Sequence, residues 1–531
     1  MARDYLVKLL LGVALLGLAR AGQADTLAYR EAGLTRREAA AHLLSRFTFG
    51  ARPGEVDQVL AMGLDKWLDQ QLDGDQPEPP YPGTDNNYGN LRGNKLNRAL
   101  NSPNQLREVL TDFWFNHFNV SARGRVNQVV TDYEAQIRKA SLGNFRELLG
   151  TTAHHPAMLI YLNNDQSRAP PPGETLRVEE DPFGYGPASR AHRRPTDPLG
   201  YGPPRRVEVS LPSLTTPNRR GINENYAREL MELHTLGVDG GYRQQDVIEV
   251  ARVLTGWTVE GTPPTFRYND DLHDNGTKTV LHRTIHPAGQ KEGEQVLDLL
   301  CGDQATARHV CRKLAVRFVS DHPSEELVRR LARRYLGTGG NIRLVLRELV
   351  AQPEFWRSRR QKVKSPFEVV ASALRALDAR VDNYNAAVSQ VEQMGQALYQ
   401  YEAPTGFPDR ADFWINPGSL VARMTFGLDL AEGRVGGTKV DLEKLVPAKQ
   451  ATSAREALRY QAETLLPDRP IEPMLKDLVP SLEDPDFAQR VRNKRKGAKP
   501  SPRSKQRPKA KDFDSKLVLG ILLGSPEFQR R

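Results

Sequence analysis

The chain has 531 residues, 39% of them hydrophobic, which is enough for about three domains' worth of buried core. Its formal charge of +10 would suit a nucleic-acid binder, but eleven basic and no acidic residues lie between Arg490 and Lys511, leaving the rest of the chain near −1. The basicity is a local tail without interleaved aromatics, so composition excludes a distributed nucleic-acid surface.

Chain order begins with Arg3 and Lys8, an apolar run from Leu9 to Ala19, and small residues that permit cleavage after Ala21 or Ala24. Residues 1–24 therefore read as a signal peptide: the run is too short to span a bilayer comfortably, and no cysteine stands near the cleavage site to mark a lipoprotein. No other stretch approaches the length of a membrane helix, so the expectation is a periplasmic or secreted protein without a transmembrane anchor. Helical periodicity follows over 34–72, 104–120 and 127–162, making an N-terminal helical region of 34–164. Residues 165–220 are rich in proline and glycine and contain a duplication, Asp181-Pro-Phe-Gly-Tyr-Gly-Pro187 and Asp197-Pro-Leu-Gly-Tyr-Gly-Pro203, which predicts a surface insertion.

A central helical region, 221–380, opens with the densest polar constellation in the chain. Asn223-Glu-Asn-Tyr-Ala-Arg-Glu-Leu-Met-Glu-Leu-His-Thr-Leu-Gly237 runs into Gly241-Tyr-Arg-Gln-Gln-Asp-Val-Ile-Glu-Val-Ala-Arg-Val-Leu-Thr-Gly-Trp257. At 100° per residue, Asn225, Arg228, Glu229 and Glu232 fall within about a third of a turn, with Tyr226, Leu230, Met231 and Leu233 on the other side. A turn at Gly237 and Gly240-Gly241 leads to a second helix from about Arg243, whose buried face is Val247, Val250, Ala251 and Leu254. Thr265-Phe-Arg-Tyr268 and Lys278-Thr-Val-Leu281 then read as the two strands of a small hairpin with a polar tip. Helical patterns resume at 304–336, 340–352 and 366–402, and a C-terminal helical region covers 381–489. The basic stretch 490–511 should be disordered, either a solvated linker or an electrostatic contact to an anionic envelope component. A terminal helix occupies 512–531. It carries an echo: Leu517-Val-Leu-Gly-Ile-Leu-Leu-Gly-Ser-Pro-Glu-Phe528 repeats Leu344-Val-Leu-Arg-Glu-Leu-Val-Ala-Gln-Pro-Glu-Phe355 at a constant offset of 173. The fold class is mostly α, a large multi-helix globular fold with a small β-hairpin and long irregular loops.

The signature hairpin resembles that of the bacterial family called domain of unknown function 1800. Other stretches agree: His42-Leu-Leu-Ser-Arg-Phe-Thr-Phe-Gly50, Gln105-Leu-Arg-Glu-Val-Leu-Thr-Asp-Phe-Trp-Phe-Asn-His-Phe-Asn-Val120, Ala305-Thr-Ala-Arg-His-Val-Cys-Arg-Lys-Leu314 and Lys364-Ser-Pro-Phe-Glu368. The resemblance implies a large, mainly helical envelope protein with no established activity. It also implies a possible partner, because members are often encoded beside an exported protein similar to phosphatases and sulfatases. The family's usual Gly-Trp-Pro appears here as Gly406-Phe-Pro408, and residues 167–218 look inserted.

No nucleophile elbow, phosphate loop, dinucleotide fingerprint or zinc-protease motif occurs, and the residues name no cofactor. Two readings follow. In one, the protein is a non-catalytic binding or assembly partner for a neighbouring exported phosphatase- or sulfatase-like protein, with buried Arg–Glu pairs holding the hairpin together. In the other, it is an envelope enzyme acting on a polar or anionic exported substrate. Glu229 or Glu232 would then be general acid or base, Arg228 would orient an anionic group, Asn225 would donate to a polar oxygen, and His117 would converge from a distant segment. His273, Asp274 and Lys278 are further candidates to converge. Arg228 and Glu232 at i,i+4 could equally be an exposed ion pair, His117 a hydrogen-bonded core histidine, and Trp114 and Trp257 core. No metal set is expected, since the residue three after Glu229 is a second glutamate where a di-metal bundle places histidine. Cys301 and Cys311 could join in an oxidising compartment or remain separate buried thiols.

Overall fold

The computed structural model describes residues 27–81, 88–169, 221–445, 452–484 and 514–531. The expected leader 1–24, the duplicated Pro/Gly stretch and the basic segment 490–511 lie outside these residues. Where the insertion begins, Ser167 is buried and its carbonyl accepts from Gly256 N at 3.5 Å, while Ala169 N donates to Leu272 O at 2.8 Å.

The fold is mostly α, with a few short two-stranded antiparallel sheets. Periodicity located the helices, while turn residues divided the longer stretches. The pattern over 34–72 is three helices, Arg36–Phe47, Glu55–Met62 and Leu64–Asp73, because Gly54 and Gly63 adopt left-handed or otherwise glycine-favouring backbone between them. The stretch 127–162 is Val130–Ala140, Phe145–His154 and Pro156–Tyr161, and 304–336 divides into Gln304–Phe318 and Glu325–Gly337. Over 366–402 only Pro366–Ala376 and Tyr384–Gln393 are helical. Several starts carry side-chain caps, as at Thr35 with Glu38 and Ser365 with Glu368, whose reciprocal bonds satisfy donors that the first turn leaves unpaired.

Most buried apolar side chains from Leu27 to Phe528 form one large cluster to which the regions 34–164, 221–380 and 381–489 all contribute, with Leu428, Leu517 and Ile521 in a small second one. Trp114, Phe118 and Phe145 interlock at its centre, with ring centroids 5.8 to 6.2 Å apart. Truncating a ring such as Phe145 to alanine would cost about 3–5 kcal/mol in lost burial and residual cavity. Trp114 and Trp257 are core, the latter so closely covered that a Cβ on Gly293 would stand 2.0 Å from its ring. Cys301 and Cys311 are separate buried thiols.

The strand expectation needs correction. Thr265–Tyr268 pairs with Trp257–Glu260, and Lys278–Val280 pairs with Arg283–Ile285, so there are two hairpins instead of one. The second turns through Leu281 and His282, both left-handed at φ 48° and 63°. Such a turn ordinarily announces itself with Asn-Gly, and Leu-His gives no such signal. The echo is structural: Ile342–Val350 is followed by Pro353–Arg357, and Ser515–Gly524 by Pro526–Gln529, each second helix starting on its proline. The segments that leave the two copies meet, with Lys362 N donating to Arg531 O at 3.2 Å and Lys364 N to Gln529 O at 2.9 Å.

Candidate functional site

The signature hairpin is built as Glu224–Glu229, a turn of π-helix over Leu230–Thr235, and Gln244–Val253. Asn223 caps the first helix by accepting from Asn225 N at 2.8 Å, and its amide donates to Leu162 O and Asn163 O. Val247, Val250, Ala251 and Leu254 are fully buried, as the periodicity required. The π-turn was not legible. Its wider pitch buries Glu232 and His234 and leaves Leu233 half-exposed, although the 100° wheel placed Leu233 on the buried face.

The structure places Asn225, Arg228, Glu229 and Glu232 along this hairpin, with Glu229 and Glu232 both buried. The i,i+4 pairing of Arg228 with Glu232 is corrected. Arg228 Nη2 instead donates to Glu224 Oε2 and Gln244 Oε1, both at 3.1 Å, and Gln244 Nε2 closes the triangle on Glu224 at 2.6 Å. Glu232 takes the Tyr242 hydroxyl at 3.1 Å. His117 does converge on the hairpin, but through its backbone: Nε2 lies 3.1 Å from His234 O. His309 approaches in the same way, 3.2 Å from Leu233 O. Burial, reinforced by the nearby Lys313 charge, lowers all three imidazoles, His234 and His309 to about 3, so they are neutral props of the π-turn.

His273, Asp274 and Lys278 also converge, though on different residues. Glu292 receives His273 Nε2 at 3.1 Å and Lys278 Nζ at 2.6 Å within the core and Ala288 N at 2.8 Å, while Asp274 binds Arg252 at 2.8 Å. Burial raises the Glu292 carboxyl, but the Lys278, Ala288 and His273 hydrogen bonds outweigh it and hold the group below its ordinary range. This network ties the second hairpin to the Gln290–Cys301 helix. Among the described residues no cluster of three His, Cys, Asp or Glu side chains could hold a metal ion.

A separate cleft gathers three of the sequence motifs, and none of Asn225, Arg228, Glu229, Glu232 or His117 lines it. Asp112 and Asn116 face it from the Gln105–His117 helix, Ser365 from the Lys364–Glu368 segment, and Phe407 from the Gly406–Pro408 segment. Asn116 fastens the last of these: Nδ2 donates to Phe407 O and Oδ1 accepts from Phe407 N, both at 2.7 Å. Gly406 is left-handed at φ 67°, and a Cβ there would lie 2.1 Å from Asn116 O, so only glycine allows this approach. Phe407 packs between Tyr401 and Trp414 at centroid distances of 4.3 and 5.7 Å.

The charges of the cleft are fixed. Lys95, buried on the Tyr88–Asn101 helix, meets Asp112 at 2.9 Å and Glu134 at 3.5 Å and lies 5.1 Å from the Tyr399 ring centre. Burial opposes its charge, but these carboxylates outweigh burial and raise its pKa. Tyr399 donates to Glu134 from a left-handed backbone at φ 61°, a strained position for a non-glycine residue. Burial and the Glu134 charge push the phenol well above its ordinary value. Arg317 Nη1 binds Glu368 at 2.6 Å, while its buried Nε and Nη2 have no hydrogen-bond partner. Asp409 lines the same cleft and acts on Arg317 through its field, with no direct ion pair between them among the described residues.

Lys95, Asp112, Arg317, Tyr399 and Asp409 are not among the residues singled out from the sequence. The available signal was the i,i+4 spacing of Asp112 and Asn116 within an otherwise aromatic helix end.

The chain belongs to the family described as "Protein of unknown function (DUF1800)", whose model matches residues 42–530. No curated protein and no solved structure matches it.

Proposed function

We propose that this protein is an exported, non-catalytic binding or assembly protein of the cell envelope, and that its partner is an exported phosphatase- or sulfatase-like protein. The observation that carries the binding reading is the surface beside the cleft. Trp414 lines the cleft, and the chain continues directly into Ile415 and the Pro417–Ala431 helix, where Ile415, Leu420, Val421 and Met424 are large apolar side chains exposed by 44%, 43%, 64% and 46%. A cluster of this kind next to a polar recess is what a protein partner covers.

Two further features support binding over catalysis. Lys95 and Arg317 stay charged and Tyr399 stays neutral, so these cleft groups recognise fixed charge and are not poised to exchange protons near neutrality. On the hairpin, Arg228 bonds Glu224 and Gln244, and Glu232 accepts from Tyr242, all inside the protein. Export rests on the N-terminal leader pattern, and the choice of partner on the family's usual gene neighbourhood.

The test is co-purification of the full chain with the phosphatase- or sulfatase-like protein encoded beside it. Wild type should retain the partner, while Val421→Glu with Met424→Glu should lose it without change in circular dichroism or thermal midpoint. Equal retention by the folded double variant, or none by wild type, would overturn the reading.

A further inference from the structure

Glu368 also lines a second pocket, separate from the cleft and rich in cations. Lys364, Arg469, Arg530 and Arg531 line it against only Glu368 and Asp468. Both carboxylates are already shared. Glu368 holds Arg317 at 2.6 Å and Arg531 at 3.0 Å, and Asp468 holds Arg360 at 3.3 Å and Arg469 at 3.7 Å.

Lys364, Arg531 and the neighbouring Arg46 are buried, and both arginines are incompletely bonded. Arg531 is 5% exposed; its Nη2 reaches Arg317 O at 3.2 Å, but Nε and Nη1 have no partner. Lys364 uses one donor on Ser372 Oγ at 2.9 Å and rests 3.8 Å over the Phe528 ring. Behind them Arg46, fully buried, bonds Ser358 and leaves Nε and Nη1 unused. Buried guanidinium N–H groups left without an acceptor are costly, and an anion that accepts from them would remove that cost. The buried cations of the lining share Glu368 and Asp468 with Arg317 and Arg360, so a bound anion would add counter-charge there. Several N–H donors converging from three side chains suit tetrahedral oxygens better than one planar carboxylate.

We propose that this pocket binds a small tetrahedral oxyanion, phosphate or sulfate, free or as the head of a monoester, through Arg531, Lys364 and Arg469. The site stands apart from the cleft and from the partner reading. Its burial and cation crowding leave marks on titration: burial, with Arg469 and Arg531 nearby, lowers Lys364 to about 7 despite Glu368 and Asp468. A bound dianion would reverse that, so binding near neutrality takes up a proton.

The experiment is isothermal titration of the full chain, at constant ionic strength in phosphate- and sulfate-free buffer, with sodium phosphate, sodium sulfate and glycerol phosphate against a sodium chloride control. Saturable one-to-one binding is expected, weakened at least tenfold in Arg531→Gln and in Arg469→Gln. A preference for inorganic phosphate would identify the free ion as ligand, and a preference for glycerol phosphate the esterified head. Sulfate binding at pH 7.5 should show a heat that varies with buffer ionisation enthalpy in wild type and not in Lys364→Met. Absence of saturable heat, an equal response to chloride, or unchanged binding by folded Arg469→Gln would overturn the proposal. Arg469→Gln decides the matter even where Arg531→Gln fails to fold, because Arg469 sits at the pocket lining with its own contacts to Asp468 and Arg530.

Discussion

Glu368→Gln tests the electrostatic logic of the region between the two pockets. Glu368 is buried, accepts from Ser365 N at 2.9 Å as the capping box of the Pro366–Ala376 helix, and is the shared counter-charge of Arg317 and Arg531. Burial alone would raise its carboxyl, but Arg317 and Arg531 outweigh burial and hold it at about 2 against an ordinary 4.5. A depression of about 2.5 units corresponds to about 3 kcal/mol of native-state stabilisation at neutral pH. Removing one side of a buried pair independently predicts about 3–5 kcal/mol. Because the folded value is depressed, the contribution is fully present above the unfolded pKa near 4.5 and is lost as pH falls through the folded value near 2. Linkage then removes about 2 kcal/mol of it by pH 3. Urea unfolding of wild type and Glu368→Gln at pH 7, 5, 4 and 3, in chloride buffers, should show a gap of about 3–5 kcal/mol that narrows by about 2 kcal/mol at the acid end. A gap under about 1 kcal/mol at pH 7, or one that stays constant down to pH 3, would refute the assignment of Glu368 as the ionised hub.

Arg228→Ala should destabilise by about 2–3 kcal/mol, somewhat less than for a fully buried pair because its side chain keeps 12% exposure, and Gln244→Ala by about 1 kcal/mol. Thermal unfolding with an unchanged midpoint for Arg228→Ala would show that the Glu224 triangle is no brace. Gly406→Ala should cost about 2 kcal/mol or more through backbone strain and the Asn116 clash, and should reduce partner capture even where the chain folds. Partner capture at the wild-type level would separate the Gly406–Pro408 loop from the binding surface. Burial pushes Cys301 up to about 12 and Cys311 higher still, so native chain at pH 8 should label slowly with a thiol reagent and yield two thiols in denaturant. Rapid native labelling, or no thiol after denaturation, would contradict two closed thiol sites. The cell-made protein should begin at Gly22 or Asp25 on N-terminal sequencing, and an intact Met1 would reject the leader reading.

Local chemistry was legible in the amino-acid sequence because its signals lie within a few residues of one another. Apolar repeats marked the helices, Gly237 and Gly241 the turn of the signature hairpin, and Pro353 and Pro526 the matched helix starts of the echo. The burial of Val247, Val250, Ala251 and Leu254 followed from period alone. Partner choice did not. Arg228 found Glu224 and Gln244 because a π-turn, which leaves no mark in a 3.6-residue wheel, carried Glu232 elsewhere. Lys95 reaches Glu134, Arg317 reaches Glu368, and Asn116 reaches Phe407 across 39, 51 and 291 positions, distances over which no periodicity constrains which charge meets which. The fold class was therefore written in local pattern. The cleft and the cation-rich pocket exist only because tertiary packing brought together side chains whose types, but not whose neighbours, the linear order specifies.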